Sequence, residues 1–155
     1  MASDLEANLR AGAAELGLDL TDAQIAQLLE YQALIQKWTK VYNLTAVRDP
    51  AEMLTHHLLD SLAVIEPLRR VLAQAEAGQG AVASSRRRLL DVGSGAGLPG
   101  VVIAICCPEL AVDCVDTVGK KAAFVRQVAG GLGLRVTARH ARVETLGALR
   151  FDLIT

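Results

Sequence analysis

Three glycines at alternate positions, Gly93, Gly95 and Gly97, interrupt the chain directly after the apolar run Leu89-Leu90-Asp91-Val92. Leu98-Pro99-Gly100 follows, and then a stretch with helical spacing. A strand that stops in such glycines and restarts as a helix lets the backbone approach a ligand closely, and it aims helix N-terminal N–H groups at that ligand. The stretch therefore predicts a βα unit with a nucleotide-like ligand at the strand tip. Two frames describe it. Gly93-Ser94-Gly95-Ala96-Gly97 is G-x-G-x-G at the strand end, whereas Gly95-Ala96-Gly97-Leu98-Pro99-Gly100 is the G-x-G-x-x-G dinucleotide fingerprint displaced by two residues. The fingerprint begins at the strand end, so the first frame fits better.

The rest of the C-terminal half repeats this rhythm. Strands are expected over residues 89–92, 111–115, 134–138 and 151–155. Helices are expected over 98–107, halted by Pro108, and over 119–132, closed by Gly133. Strands alternating with helices imply βαβ units and a parallel sheet. A doubly wound nucleotide-binding sheet usually has more than four strands, so the chain reads as a fragment of a longer protein.

The N-terminal half has no strand pattern. A short helix over residues 1–18 ends at Gly17 and keeps Leu5, Leu9, Ala13 and Leu16 on one face. Thr21-Asp22-Ala23-Gln24 is a capping box, and Ile25, Leu28, Leu29, Ile35 and Trp38 continue at helical spacing to Lys40. Asp49-Pro50-Ala51-Glu52 is a second start signal, for a helix reaching about Arg70. The fold class expected is α/β: a helical subdomain over 1–72, a flexible linker over 73–87 rich in Ala, Gly, Gln and Ser, and a partial Rossmann-like sheet domain over 88–155.

Composition narrows the possibilities. Hydrophobic residues make up 52% and aromatics 3%, so a core exists and is built from aliphatic side chains. The net charge of −1 does not advertise nucleic acid, and any such signal must be a local patch. The first residues lack the basic and apolar regions of a signal peptide, and no apolar run reaches the length of a membrane span. Cys106, Cys107 and Cys114 form no C-x-x-C pair and have no His at ligand spacing, so they read as buried, reduced thiols and no metal is expected.

The second strand ends in Val115-Asp116-Thr117. An acid there can take the ribose hydroxyls of a ligand lying across the strand tips. It can also cap the following helix, but Thr117 offers an alternative cap that leaves Asp116 free to bind. Loop and acid together fit either a nicotinamide dinucleotide or S-adenosylmethionine, and the two motifs alone do not separate them.

The segment Leu90-Asp91-Val92-Gly93-Ser94-Gly95-Ala96-Gly97-Leu98-Pro99-Gly100 resembles motif I of the ribosomal small-subunit methyltransferase G family, also called glucose-inhibited division protein B. Upstream, Lys37-Trp38-Thr39-Lys40-Val41-Tyr42-Asn43-Leu44-Thr45 and His56-His57-Leu58-Leu59-Asp60-Ser61-Leu62 are similar to its K-W-N-x-x-x-N-L-T and H-x-L-D-S segments. Downstream, Val115 to Lys121, His140 to Glu144 and Phe151 to Thr155 resemble its V-D-S-x-x-K-R, R-V/A-E and F-D-x-x segments. The resemblance covers nearly the whole chain, in order.

What it implies is an S-adenosylmethionine-dependent enzyme that methylates N7 of a guanine in 16S rRNA near the decoding site. The family's binding positions carry over to Gly93 and Leu98 in the loop, to Asp116, Thr117 and Val118 after the second strand, and to Val143 and Glu144 beside the adenine. Its Ser-Arg-Ala-Phe segment, whose Arg contacts the cofactor site, lies past the last residue here. Guanine N7 bears no proton and offers an in-plane lone pair, so methyl transfer to it needs alignment rather than a general base. No catalytic side chain is therefore assigned.

RNA phosphates need cations near the pocket mouth. Lys120, Lys121 and Arg142 are the candidates favoured, with Lys37, Lys40, Arg48 and Arg139 behind them. Arg86-Arg87-Arg88 reads as the solvated end of the linker, and His56 and His57 as packing or capping groups. A monomer acting in the cytoplasm on 16S rRNA or the small ribosomal subunit is expected, with no membrane partner. Two rivals remain: a nicotinamide-dependent oxidoreductase, for which a Tyr-x-x-x-Lys is missing, and a non-catalytic fragment serving as a binding or assembly module.

Overall fold

The computed structural model describes residues 2–79 and 87–155. Helix α1 (Ala2–Glu15) stops before Gly17, whose φ of 74° turns the chain back. Thr21 then caps α2 (Asp22–Tyr42) with both hydrogen bonds of the capping box in place. Asn43, in the left-handed region, ends that helix. The side chain of Asp49 accepts from the Ala51 and Glu52 amides and starts α3 (Pro50–Met53). A π-helical turn over Leu54–Leu59 carries α3 into the short α4 (Asp60–Leu62).

The next helix corrects the expected linker. Helix α5 (Ile65–Gln79) continues through residues 73–79, because Ala73-Gln74-Ala75-Glu76-Ala77 are all good helix formers and Leu72 anchors the helix in the core. The remainder of the expected linker, residues 80–86 and with it Arg86, lies outside the described residues.

Among the described residues, four strands form one parallel sheet in the order β3-β2-β1-β4. Strand β1 (Arg88–Val92) sits centrally between β2 (Ala111–Asp116) and β4 (Leu153–Ile154), and β3 (Val136–His140) lies on the far side of β2. Residues leading away from β1 go first toward β2 and β3 and later to its other side at β4. The strand order thus reverses beside β1, where ligands of open parallel sheets bind at the carboxyl ends of the strands.

Two helices cross between the strands. Helix α7 (Gly119–Leu132) has the expected limits and closes on Gly133 at φ 64°. The cap wraps Leu134 back onto the Ala129 carbonyl at 2.9 Å, so the chain is still turning at Leu134 and β3 begins two residues later than expected. Helix α6 (Gly100–Cys106) likewise starts two residues late. A turn closed by the Val101 amide on the Gly97 carbonyl at 2.7 Å takes up the intervening residues.

Every residue of α6 is buried. One apolar cluster joins Leu9, Leu28, Leu58 and Leu62 of the helical half to Leu89, Ile103, Val112 and Phe124 of the sheet half. The helical half is thereby packed on the sheet through a shared core, and α2 reaches both α6 and α7.

Candidate cofactor-binding site

The glycine loop leaves β1 at Val92 and is tied down from several sides. Gly93, Gly95 and Gly97 all have positive φ, at 68°, 57° and 100°, so the G-x-G-x-G frame marks the backbone positions that need glycine for conformation. Gly100 is glycine for a different reason. A Cβ there would lie 2.6 Å from Cys114 Sγ and 2.7 Å from Asp91 Oδ2, so its absence lets α6 sit against β1 and β2. The third glycine of the displaced frame is thus a packing glycine.

Neighbouring strands hold the loop in front. The Gly93 and Ser94 amides donate to the Val115 carbonyl at 2.8 and 3.3 Å, and the Gly95 amide donates to Asp116 Oδ2 at 2.9 Å. Behind it, buried Asp91 accepts from the Gly100 amide at 2.8 Å. Desolvation, opposed by that amide and reinforced by the nearby Asp116 charge, pushes the Asp91 carboxyl up from 3.8 to about 7.

Tyr31 of α2 supplies a support that sequence reading missed. Its hydroxyl donates to the Ala96 carbonyl at 2.7 Å, and the side chain is fully buried, which raises the phenol well above its ordinary value. The signal available was its place on the Leu28–Ile35 face, which marks burial but not the loop it would reach. Tyr31→Phe leaves that buried carbonyl without its partner, and a loss of roughly 1–3 kcal/mol is expected in urea denaturation. An unchanged midpoint at unchanged slope would show the bond to be dispensable.

At the strand tips a cleft of 660 Å³ opens, lined by Val92, Gly93, Val115, Asp116, Thr117, Ala141, Arg142, Val143 and Glu144. Gly93, Asp116, Thr117, Val143 and Glu144 are thus brought together from three separate segments, Val143 and Glu144 by a 3-10 turn over Val143–Leu146. Gly95, Gly97 and Leu98 stand in the loop outside the cleft lining, and Val118 is exposed at the start of α7.

Asp116 does not have the freedom expected of it. Its Oδ1 accepts from the Val118 amide at 2.8 Å while Oδ2 holds Gly95, and no side chain caps α7. The short carboxylate closes a turn on the residue two ahead, which forestalls a Thr117 cap. A carboxylate has about four acceptor sites, so two remain for a ligand.

The cations divide into two groups. Arg139 Nε lies 2.6 Å from buried Asp113, and Arg88 reaches the same carboxylate at 3.4 Å while its guanidinium covers the Phe151 ring at 4.7 Å. Arg88 is therefore part of the sheet's ion-pair network rather than the solvated end of a linker, and Arg139 is committed to Asp113. Lys120 and Arg142 are exposed and Lys121 is half-buried; Arg142 Nε lies 3.8 Å from Glu144, two residues on in the same lining segment. His57 shares a 2.8 Å hydrogen bond with Thr45, and His56 is exposed.

The three cysteines are buried and unpaired, and burial pushes the Cys106 thiol to about 12. Among the described residues no group of His, Cys, Asp and Glu is placed to hold a metal, and no helix is long and apolar enough to cross a membrane.

Comparison with known proteins follows the same residues. A family profile described as rRNA small subunit methyltransferase G matches residues 24–155. The ribosomal RNA small subunit methyltransferase G of Acidovorax sp. (strain JS42) is 64% identical over 154 residues, covering 99% of this chain and 67% of the relative. The protein of that name from Albidiferax ferrireducens is 68% identical over 144 residues, covering 92% and 64%. That from Polaromonas sp. (strain JS666) is 65% identical over 150 residues, covering 96% and 63%. The chain spans about two thirds of the length of these relatives.

Proposed function

We propose, because the chain belongs to the rRNA small subunit methyltransferase G family, that it binds S-adenosylmethionine in the strand-tip cleft and takes part in methylating N7 of a guanine in 16S rRNA. The observation that carries this reading is the convergence of Gly93, Asp116 and the Val143-Glu144 turn on one cleft beside the central strand. Each element suits one part of such a cofactor. The glycine loop admits close backbone approach, Asp116 keeps acceptor sites for ribose hydroxyls, and Val92 and Val143 offer apolar contact for a purine. Gly95, Gly97, Leu98, Thr117 and Val118 complete the site by shaping the loop and the start of α7.

When bound, S-adenosylmethionine supplies an electrophilic methyl group on a sulfonium. The chain's part is then to orient it and the guanine, since N7 presents its lone pair without a proton to remove. Lys120, Lys121 and Arg142, on the α7 side of the cleft and at its mouth, are the cations proposed to meet RNA phosphates. The substrate is 16S rRNA, free or within the small subunit, which implies work in the cytoplasm.

Calorimetric titration of the chain with S-adenosylmethionine, S-adenosylhomocysteine and NAD tests this. Binding of the first two is expected, and a preference for NAD would sink the reading in favour of an oxidoreductase. Asp116→Ala is expected to weaken S-adenosylmethionine binding by roughly 1–3 kcal/mol, through loss of a charged acceptor and of the tether on Gly95. Undiminished affinity would reduce Asp116 to a structural tether.

A further inference from the structure

The end of α2 carries an aromatic pair that the cleft does not use. Trp38 and Tyr42 stack with their ring planes 1° apart and centroids separated by 5.4 Å. Tyr42 is 40% exposed and Val41 beside it 66%. Two ammonium groups attend the pair: Lys37 Nζ lies 6.0 Å from the Trp38 ring centre, and Lys120 Nζ lies 5.7 Å from that of Tyr42. Lys120 belongs to the first turn of α7, three residues after Thr117 of the cleft lining, so pair and cleft share one corner of the fold.

The sequence on either side of this corner is locally basic. Residues 31–48 carry Lys37, Lys40 and Arg48, and residues 117–135 carry Lys120, Lys121, Arg126 and Arg135. Neither segment holds an Asp or Glu, although the chain has 17 of them and a net charge of −1. An exposed ring stack attended by ammonium groups has the two features that single-stranded nucleic acid requires: a face for a base and positive charge for the backbone. A duplex keeps its bases stacked inside and has no free face to offer.

We propose that Tyr42, backed by Trp38, is a stacking platform for one unstacked base of a single-stranded RNA segment, with Lys37, Lys40 and Lys120 on the adjoining phosphates. This rests on the RNA-methyltransferase reading and adds to it the surface that holds the strand beside the cleft. The base extends the existing Trp38–Tyr42 pile. Lys120 exchanges a weak exposed contact with the ring for a phosphate, which is within reach of its flexible stem. Lys40 lies one turn from Lys37 on α2.

Trp38 is the single tryptophan, so its emission reports on the platform directly. The chain is titrated with a single-stranded RNA oligomer, with an abasic oligomer of the same length, and with the matching duplex. The single strand is expected to quench Trp38 and to bind about tenfold more tightly than the abasic strand. Tyr42→Ala is expected to lose about tenfold in affinity for the single strand while abasic and duplex binding stay as they were, and Tyr42→Phe to retain it. Lys120→Ala should instead weaken all three and flatten their salt dependence.

Equal binding of abasic and intact strands overturns the platform. So does a Tyr42→Ala protein that binds the single strand as the parent does, including one that has lost a protein contact or self-association instead. S-adenosylmethionine titration separates the two readings. Tyr42→Ala leaves it unchanged, whereas failure of the parent chain to bind the cofactor counts against the methyltransferase reading alone.

Discussion

Gly97→Ala is expected to destabilise the chain by roughly 2–5 kcal/mol, more than any other single methyl added to the glycine loop. Two costs combine at this position. A φ of 100° is a conformation that residues with a side chain seldom adopt. In addition, the new Cβ would lie 2.5 Å from Val101 Cγ2 and 3.2 Å from the Tyr31 hydroxyl. Val101 is itself fully buried in α6, and Tyr31 is held to Ala96, so neither neighbour has room to yield. Gly95→Ala is the internal control. Its φ of 57° lies in the left-handed region that a side chain enters at a smaller cost, and nothing lies within 4 Å of its Cβ. It should therefore lose only about 1–2 kcal/mol. Thermal and urea denaturation of both variants decide the matter, since each kcal/mol shifts the midpoint of a chain this size by about 2–4 °C. Equal stability of the two alanine variants would show that the loop relaxes away from α2 and α6.

The contrast between these two glycines also marks how far the sequence could be read. Signals confined to a few neighbouring residues were legible. The Thr21–Gln24 box, the Asp49 cap, and α7 between Gly119 and Gly133 appear where local chemistry places them. The alternating glycines announced a strand-end loop, and their place directly after the strand favoured the frame in which all three have positive φ. Facts that depend on residues far apart in sequence were not legible. Periodicity places Tyr31 on a buried face but cannot name Ala96, 65 residues on, as its partner. Arg88, Asp113 and Arg139 lie on three different strands and meet only because β1, β2 and β3 are neighbours. The residues over 73–79 read as linker because Ala, Gln and Gly are common in both loops and helices; Leu72 in the core tips them to helix. Asp116 shows a subtler limit. Sequence offered a choice between binding and capping, whereas the carboxylate makes a turn with one oxygen and tethers the loop with the other.

Asp91→Asn is expected to remove a pH dependence that one buried carboxyl imposes on the whole fold. Asp91 is 2% exposed, and its folded-state carboxyl titrates at about 7 against an ordinary 3.8. The sign follows from proton linkage. Between these two values the folded chain binds a proton that the unfolded chain has released, so its contribution is complete below about pH 4 and is lost as pH rises through 7. With about 1.4 kcal/mol for each pH unit, the full loss approaches about 4 kcal/mol. Asparagine keeps an oxygen that can accept from the Gly100 amide and carries no charge to bury. The stability gap between Asp91→Asn and the parent should therefore widen in favour of the variant from pH 4 to pH 8. Whatever fixed cost the buried amide adds will not change with pH. Parallel stability profiles would mean that Asp91 ionises freely in the fold. The cause can be resolved further. Desolvation is the leading reason for the shift and the Asp116 charge a lesser one, so Asp116→Asn in the parent should make the loss smaller and complete it at lower pH without abolishing it. The acid behind the glycine loop and the acid in front of it are thus coupled by charge, and a change in charge at the cleft is felt beneath the loop.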